Sequence, residues 1–141
     1  MVGKICSRPV VMVRPDSSVE EAAHLMRARN VGAVVVVEAG RPVGLVTDRD
    51  IAVGVVATRK DAAATRIAEV MTKELTVIKE DAGVLEAAKI FGMTAVRRLP
   101  VVSREGELIG IISLDDLLIL LGTEMGQIAA GLARELGRAT P

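Results

Sequence analysis

The sequence repeats itself. Displaced by 65 residues, Ile5–Ala39 lies over Val70–Arg104; with one extra residue, Glu105, in the second copy, Gly40–Ile51 lies over Gly106–Leu117. Identical pairs include Asp16/Asp81, Val19/Val84, Glu21/Glu86, Ala22/Ala87, Val36/Val101, Gly44/Gly110 and Asp50/Asp116, while pairs such as Arg8/Lys73 and Thr47/Ser113 are conservative. Self-similarity at a fixed period implies one structural unit used twice. The two copies then have to share a core.

Each copy follows the same plan. A short extended segment (Val10–Arg14, Leu75–Lys79) precedes Asp-Ser-Ser or Asp-Ala-Gly, which suits a turn or a helix start. Val19, Ala22, Ala23 and Met26 recur at helical spacing, matched by Val84, Ala87, Ala88 and Phe91. Ala33–Val37 and Leu99–Val102 are too short for free helices and rich in β-branched residues, the pattern of buried strands. Tight connections lead to the strands Val43–Val46 and Ile109–Ile112, and a helix follows each. The segment Ala52–Ala68 continues the first of those helices and crosses to the second copy.

A three-stranded sheet covered by helices on one side leaves its other face bare, and two such units can cover each other. The expected fold is therefore α/β (α+β): two β-α-β-β-α repeats packed sheet to sheet about a pseudo-twofold axis. The repeats span residues 2–66 and 67–122, and a helical tail spans 123–141. Leu114–Leu121 and Thr123–Leu136 are expected to make one long helical stretch, with any bend near Gly122. The tail face Met125, Ile128, Ala129, Leu132 and Leu136 is amphipathic, and serves either the chain's own core or a second chain.

Composition removes several functions. Lys plus Arg equals Asp plus Glu at 18 each, so the phosphate neutralisation that general nucleic-acid binding needs is not supplied. A lone cysteine (Cys6) and a lone histidine (His24) give no zinc cluster and no Cys/His catalytic pair. Glu21 and Glu86 lie one to a copy on outer helices, so they are expected to be solvated, and no nucleophile–base set points to an enzyme. No signal-peptide pattern opens the chain, and no apolar run approaches the roughly 20 residues of a membrane span. The expectation is a cytoplasmic protein without a membrane or nucleic-acid partner. Asn30 and Gln127 are the only side-chain amides, a depletion that points weakly to a thermophile.

The chemistry concentrates at one recurring stretch, Gly44-Leu45-Val46-Thr47-Asp48-Arg49-Asp50, which returns as Gly110-Ile111-Ile112-Ser113-Leu114-Asp115-Asp116. Each is a strand-to-helix junction. The first N–H groups of a helix lack internal partners, so such a junction serves a cap or an anion. Thr47-x-x-Asp50 and Ser113-x-x-Asp116 have capping-box spacing. On spacing alone, both roles stand.

The order of elements, the offset duplication and these junctions resemble the cystathionine-β-synthase (CBS) domain family, two copies of which form a Bateman module. The resemblance runs from about Val2 to Leu121 and rests also on Cys6-Ser7, Met71-Thr72 and Leu99-Pro100-Val101-Val102. It implies a regulatory module, often one binding AMP, ADP, ATP or S-adenosylmethionine. It further implies that Asp50 and Asp116 accept from ribose hydroxyls, that Thr47 and Ser113 bond ribose or phosphate, and that a helix N-terminus favours the phosphate. The family geometry crosses the repeats: Thr47 and Asp50 would face Val96, Arg97, Arg98, Leu99 and Pro100, whereas Ser113 and Asp116 would face Val31, Gly32, Ala33 and Val34. The first cleft would thus receive guanidinium groups and be the tighter nucleotide site.

Arg49 is a second phosphate candidate. Arg97 and Arg98 have the alternative of pairing with Glu80 or Asp81; Lys73 and Lys79 are expected at the surface, and Cys6 as a small buried hydrophobe. Family modules also pair through helices, and Ile51, Val55, Val56, Leu117, Leu118, Leu120 and Leu121 offer apolar surface for a homodimer. The expected function is an adenine-nucleotide sensor, AMP foremost, acting on an unidentified regulated protein; the alternative is a ligand-free interaction scaffold.

Overall fold

Ala33, Val34, Val35 and Val36 are all buried, so the strand they form has a layer on each side. In the structure, a computed structural model describing residues 1–137, this is β2 (Ala33–Glu38), the centre of a three-stranded sheet. Its neighbours are β1 (Met12–Val13), parallel, and β3 (Arg41–Thr47), antiparallel. The second repeat reproduces this with β4 (Ile78–Lys79), β5 (Arg98–Val102) and β6 (Leu108–Ser113). Even the register irregularity recurs at equivalent places, between Val36 and Val37 and between Val101 and Val102. The expected architecture is the observed one; residues 138–141 of the expected tail lie outside the described residues.

One face of each sheet carries a helix. α1 (Val19–Arg29) starts at Ser18, whose hydroxyl accepts from the Glu21 N–H at 3.1 Å, and ends at Asn30, which takes the left-handed conformation (φ 53°). Val19, Ala22 and Met26 pack on Val34 and Val36. α3 (Val84–Met93) packs Ala87 and Phe91 on Leu99 and Val101. Residues of the opposite pleat, Val35 and Pro100, are also buried, as a second layer requires. The extra residue Glu105 has a local meaning. The first hairpin turns on Ala39 and Gly40, both at positive φ; the second uses a longer loop with Gly106 at φ +90° and a Gly106 N–H bond to the Ser103 carbonyl.

The repeats exchange their leading segments. Val2 belongs to the second repeat's core, and the Val2 and Gly3 N–H groups donate to Ala82 and Glu80 carbonyls at 2.8 and 2.9 Å. Their counterparts Ile67 and Ala68 donate to Ser17 and Pro15 of the first repeat. Further along, Ser7 pairs in both directions with Ile111 of β6 (2.8 and 3.2 Å), and Thr72 with Leu45 of β3 (2.9 and 3.1 Å). Beside each pairing is a glycine that admits no side chain. A Cβ on Gly44 would stand 2.7 Å from the Met71 sulfur and 3.0 Å from the Thr72 carbonyl; one on Gly110 would strike the Cys6 sulfur. Cys6 is thus half-buried over Gly110, not fully interior as expected.

The long helical stretch expected over Leu114–Leu121 and Thr123–Leu136 is one helix, α4 (Leu114–Glu135), of 22 residues. An 18-residue window of it has mean hydropathy 1.3, so, against expectation, one helix is long and apolar enough by length and composition to cross a membrane. Its far half does not enter the core: Met125, Ile128 and Leu132 are 53–72 % exposed, and Leu136, just past its end, is exposed as well. The first junction helix, α2 (Asp48–Ile51), instead passes into a π-turn, Ala52–Val56.

The crossed strand pairing makes a stability prediction. Gly110→Ala should destabilise by about 1–3 kcal/mol through overpacking against Cys6 and the Ser7 carbonyl, lowering the melting temperature by roughly 3–10 °C. Gly92→Ala, in α3 with open space around it, should instead stabilise by about 0.5–1 kcal/mol. Calorimetry on both variants checks this; a Gly110→Ala melt matching the parent would mean that the leader is not tightly seated.

Candidate functional site

β3 ends where the first repeat meets the start of β5 in the second, and the space between them is a cleft of about 370 Å³. One wall is Leu45, Thr47, Asp48 and Arg49; the facing wall is Ala95, Val96, Arg97 and Arg98; Thr72, Glu74, Leu75 and Thr76 close the side. The residues expected to share a cleft across the repeats, Thr47 and Arg49 with Val96, Arg97 and Arg98, are therefore brought together. The volume falls in the range of small-molecule sites. Leu45, Leu75 and Val96 supply apolar surface, three threonines supply hydroxyls, and three arginines supply positive charge. A larger cavity of about 450 Å³ lies at the other end of the strands, beside the first hairpin; its one cation, Arg14, is paired with Asp16 at 3.3 Å.

The junction itself is a closed cap. The Asp50 N–H donates to the Thr47 hydroxyl at 3.1 Å, and the Thr47 N–H donates to the Asp50 carboxylate at 2.9 Å. The Asp48 N–H donates to the Gly32 carbonyl (2.9 Å) and the Arg49 N–H to the Asp48 carboxylate (2.9 Å). The N–H groups of Asp48, Arg49 and Asp50 thus all have partners. The helix N-terminus expected to favour a phosphate has these donors committed, so an anion in this cleft must be held by side chains. Asp50 is also displaced from its expected place: it borders an adjoining cavity with Val53, Gly54, Lys60 and Glu69, on the other side of Arg49.

The second junction is capped by one arm only. The Asp116 N–H donates to the Ser113 hydroxyl at 3.0 Å, and the Leu114 N–H donates to the Arg97 carbonyl at 2.8 Å. Gly32, expected opposite Ser113, lies beside Asp48 and Arg98: a Cβ there would stand 3.1 Å from an Asp48 carboxylate oxygen and 3.3 Å from an Arg98 guanidinium nitrogen. Ala33 is buried in β2.

Among the remaining expected residues, Leu99 is fully buried in the second core and Pro100 is buried beside it, so neither side chain lines the cleft. Arg97 pairs with neither Glu80 nor Asp81; its partner is Asp115, in the first turn of α4, at 3.1 Å. Asp81 pairs with Arg104. Lys79 is held by the Ser103 and Arg104 carbonyls, and Lys73 is exposed outside the lining. Of the residues expected at a dimer surface, Val55 and Leu117 are inside their own chain, whereas Val56 and Leu118 are exposed. Sequence reasoning missed Asp48, Thr72, Glu74, Leu75 and Thr76. Their signal was present, since Met71-Thr72 opens the second repeat, but only the exchanged leader carries that segment across to β3.

The CBS domain family description matches residues 2–56 and again 67–122. The uncharacterized protein MK0525 of Methanopyrus kandleri is 35% identical over 83% of this chain, which spans 60% of that relative's length. Among solved structures, the CBS domain pair of protein MJ0100, in complex with 5′-methylthioadenosine and S-adenosyl-L-methionine, superposes with a TM-score of 0.78 at 28% identity, covering 88% of this chain and 97% of that one. The CBS domain protein PAE2072 from Pyrobaculum aerophilum, complexed with AMP, gives 0.75 at 26% identity, with coverages of 86% and 97%. The twofold repeat, the exchanged leaders and these matches agree, and the chain belongs to the CBS domain family as a tandem CBS pair.

Proposed function

We propose that this CBS pair is a regulatory, non-catalytic module that binds an adenosine nucleotide, AMP foremost, in the cleft between Thr47–Arg49 and Val96–Arg98. The observation that carries this reading is the convergence of Arg49, Arg97 and Arg98 on one cross-repeat cleft that also holds hydroxyls and apolar surface. Adenosine ligands bound by the structural relatives support it. In this reading the base packs among Leu45, Leu75 and Val96, the threonine hydroxyls meet ribose, and the guanidiniums hold phosphate by charge-assisted bonds.

The same cleft carries a means of response. Arg97 is held by Asp115, but the pair is exposed at both ends and worth no more than about 1 kcal/mol. A hydrogen bond from a guanidinium to phosphate is worth about 1.5–3 kcal/mol. Phosphate therefore draws Arg97 from Asp115 and releases the first turn of α4. A ligand-free scaffold is the second reading, favoured by the closed capping box at Thr47 and Asp50.

Calorimetric titration separates the two. AMP should bind the parent chain, and Arg97→Ala or Arg98→Ala should weaken binding about 10- to 150-fold, the equivalent of about 1.5–3 kcal/mol. Asp116→Ala should bind like the parent; equal losses in Asp50→Ala and Asp116→Ala would remove the asymmetry between the clefts. A scaffold would show no heat and no rise in melting temperature with AMP, ATP or S-adenosylmethionine. Asp115→Asn, which frees Arg97, should tighten AMP binding by up to about fivefold; weaker binding in that variant would overturn the release step.

A further inference from the structure

We infer that Glu74 sets the charge of the ligand this cleft accepts, favouring a nucleotide with one phosphate over those with two or three. This rests on the nucleotide reading of the cleft and adds to it a specificity-determining residue. The cleft is not uniformly basic. Its lining sets Arg49, Arg97 and Arg98 against Asp48 and Glu74, a net of one positive charge.

The acids around it differ in what they do. One Asp48 carboxylate oxygen accepts from the Arg49 N–H at 2.9 Å. Its other oxygen and an Arg98 guanidinium nitrogen both lie against Gly32, 3.1 and 3.3 Å from where a Cβ would stand. Asp115, just outside the lining, is paired with Arg97 at 3.1 Å. Glu74 has no ion-pair partner among the described residues, so its charge is left uncompensated. Its place is nevertheless fixed. Thr72 exchanges backbone bonds with Leu45 of β3 at 2.9 and 3.1 Å, and the Leu75 N–H donates to the Lys73 carbonyl at 3.0 Å, which makes Glu74 the centre of a three-residue turn on the cleft wall.

A space of about 370 Å³ is roughly 9 Å across, comparable to the screening length of about 8 Å at physiological salt. A phosphate anywhere in it therefore feels the Glu74 carboxylate. AMP carries about two negative charges at neutral pH, and each further phosphate adds about one. Repulsion from Glu74 grows from AMP to ADP to ATP, while the number of guanidiniums stays the same. An unpaired like charge of this kind rejects the wrong ligand more than it weakens the right one.

Calorimetric titration of AMP, ADP and ATP into the whole chain, in buffer without divalent cations, tests this. The parent should bind AMP tightest and ATP weakest. Glu74→Gln removes the charge and keeps the shape, and should narrow the AMP-to-ATP gap by about 3- to 10-fold, chiefly by tightening ATP. Glu86→Gln, exposed on α3, changes the net charge equally and should leave the gap as it is. In 1 M sodium chloride, where the screening length falls to about 3 Å, the effect of Glu74→Gln should vanish. Nucleotides that bind Glu74→Gln with the parent's gap would overturn the role of Glu74 and leave the nucleotide reading standing. AMP binding weakened by that substitution would do the same, since it would make the carboxylate a direct ligand contact. A parent that binds none of the three nucleotides would overturn the nucleotide reading itself, and the role of Glu74 with it.

Discussion

Two short antiparallel pairings, Ser7 with Ile111 and Thr72 with Leu45, hold the repeats in their mutual arrangement. Each adds the leader of one repeat beside the outer strand of the other, which would otherwise present unpaired backbone groups at an edge. The leader can approach because β3 and β6 carry glycine at the crossing, where Met71 and Cys6 lie over Gly44 and Gly110. The repeated Gly-x-x-Thr/Ser-x-x-Asp pattern is thereby divided between two tasks. Its glycine belongs to the assembly of the two halves, and its hydroxyl and acid belong to the start of a helix.

That division explains why the cleft depends on side chains. With Thr47, Asp50, Asp48 and the Gly32 carbonyl satisfying the opening N–H groups of α2, the junction offers an anion little main-chain polarity. Positive charge comes from Arg49 and, across the repeat boundary, from Arg97 and Arg98. Duplication made the two junctions similar, but the residues before β2 are Val31 and Gly32 where those before β5 are Val96 and Arg97. The pseudo-twofold symmetry of the backbone is thus broken by charge at the start of the central strands.

Most of the fold was legible because its signals are local. The buried strands Ala33–Val37 and Leu99–Val102, the helices from Val19 and Val84, and both hairpins follow from β-branched runs, helical spacing and turn glycines. The crossed cleft was reached through the family resemblance, and Thr47, Arg49, Arg97 and Arg98 do line it. What sequence did not reveal is tertiary. The Thr47–Asp50 cap was one of the two roles its spacing allowed, but that it closes on both arms, and that Arg97 finds Asp115, depend on side-chain directions that spacing leaves open. Apolar content also failed to separate a buried helix from α4, whose stripe looks the same whether it faces a core, a second chain or lipid.

On the proposed reading, the exposed Arg97–Asp115 pair is too weak to be the whole of a switch. A contact worth at most about 1 kcal/mol changes a two-state ratio about fivefold, whereas moving a population from 1:99 to 99:1 needs about 5.5 kcal/mol of differential affinity. The remainder has to come from a contact that differs more between states, and the cleft's position identifies which. Thr47–Arg49 and Val96–Arg98 belong to different repeats, so a ligand touching both walls acts on the spacing between repeats. Opposing it are the short leader pairings and the Leu108 N–H bond to the Gly40 carbonyl, while the cores on either side stay intact. On that reading the expected response is a rigid-body adjustment of one repeat against the other, and α4 would follow it, since its first N–H is bonded to the Arg97 carbonyl in the cleft wall.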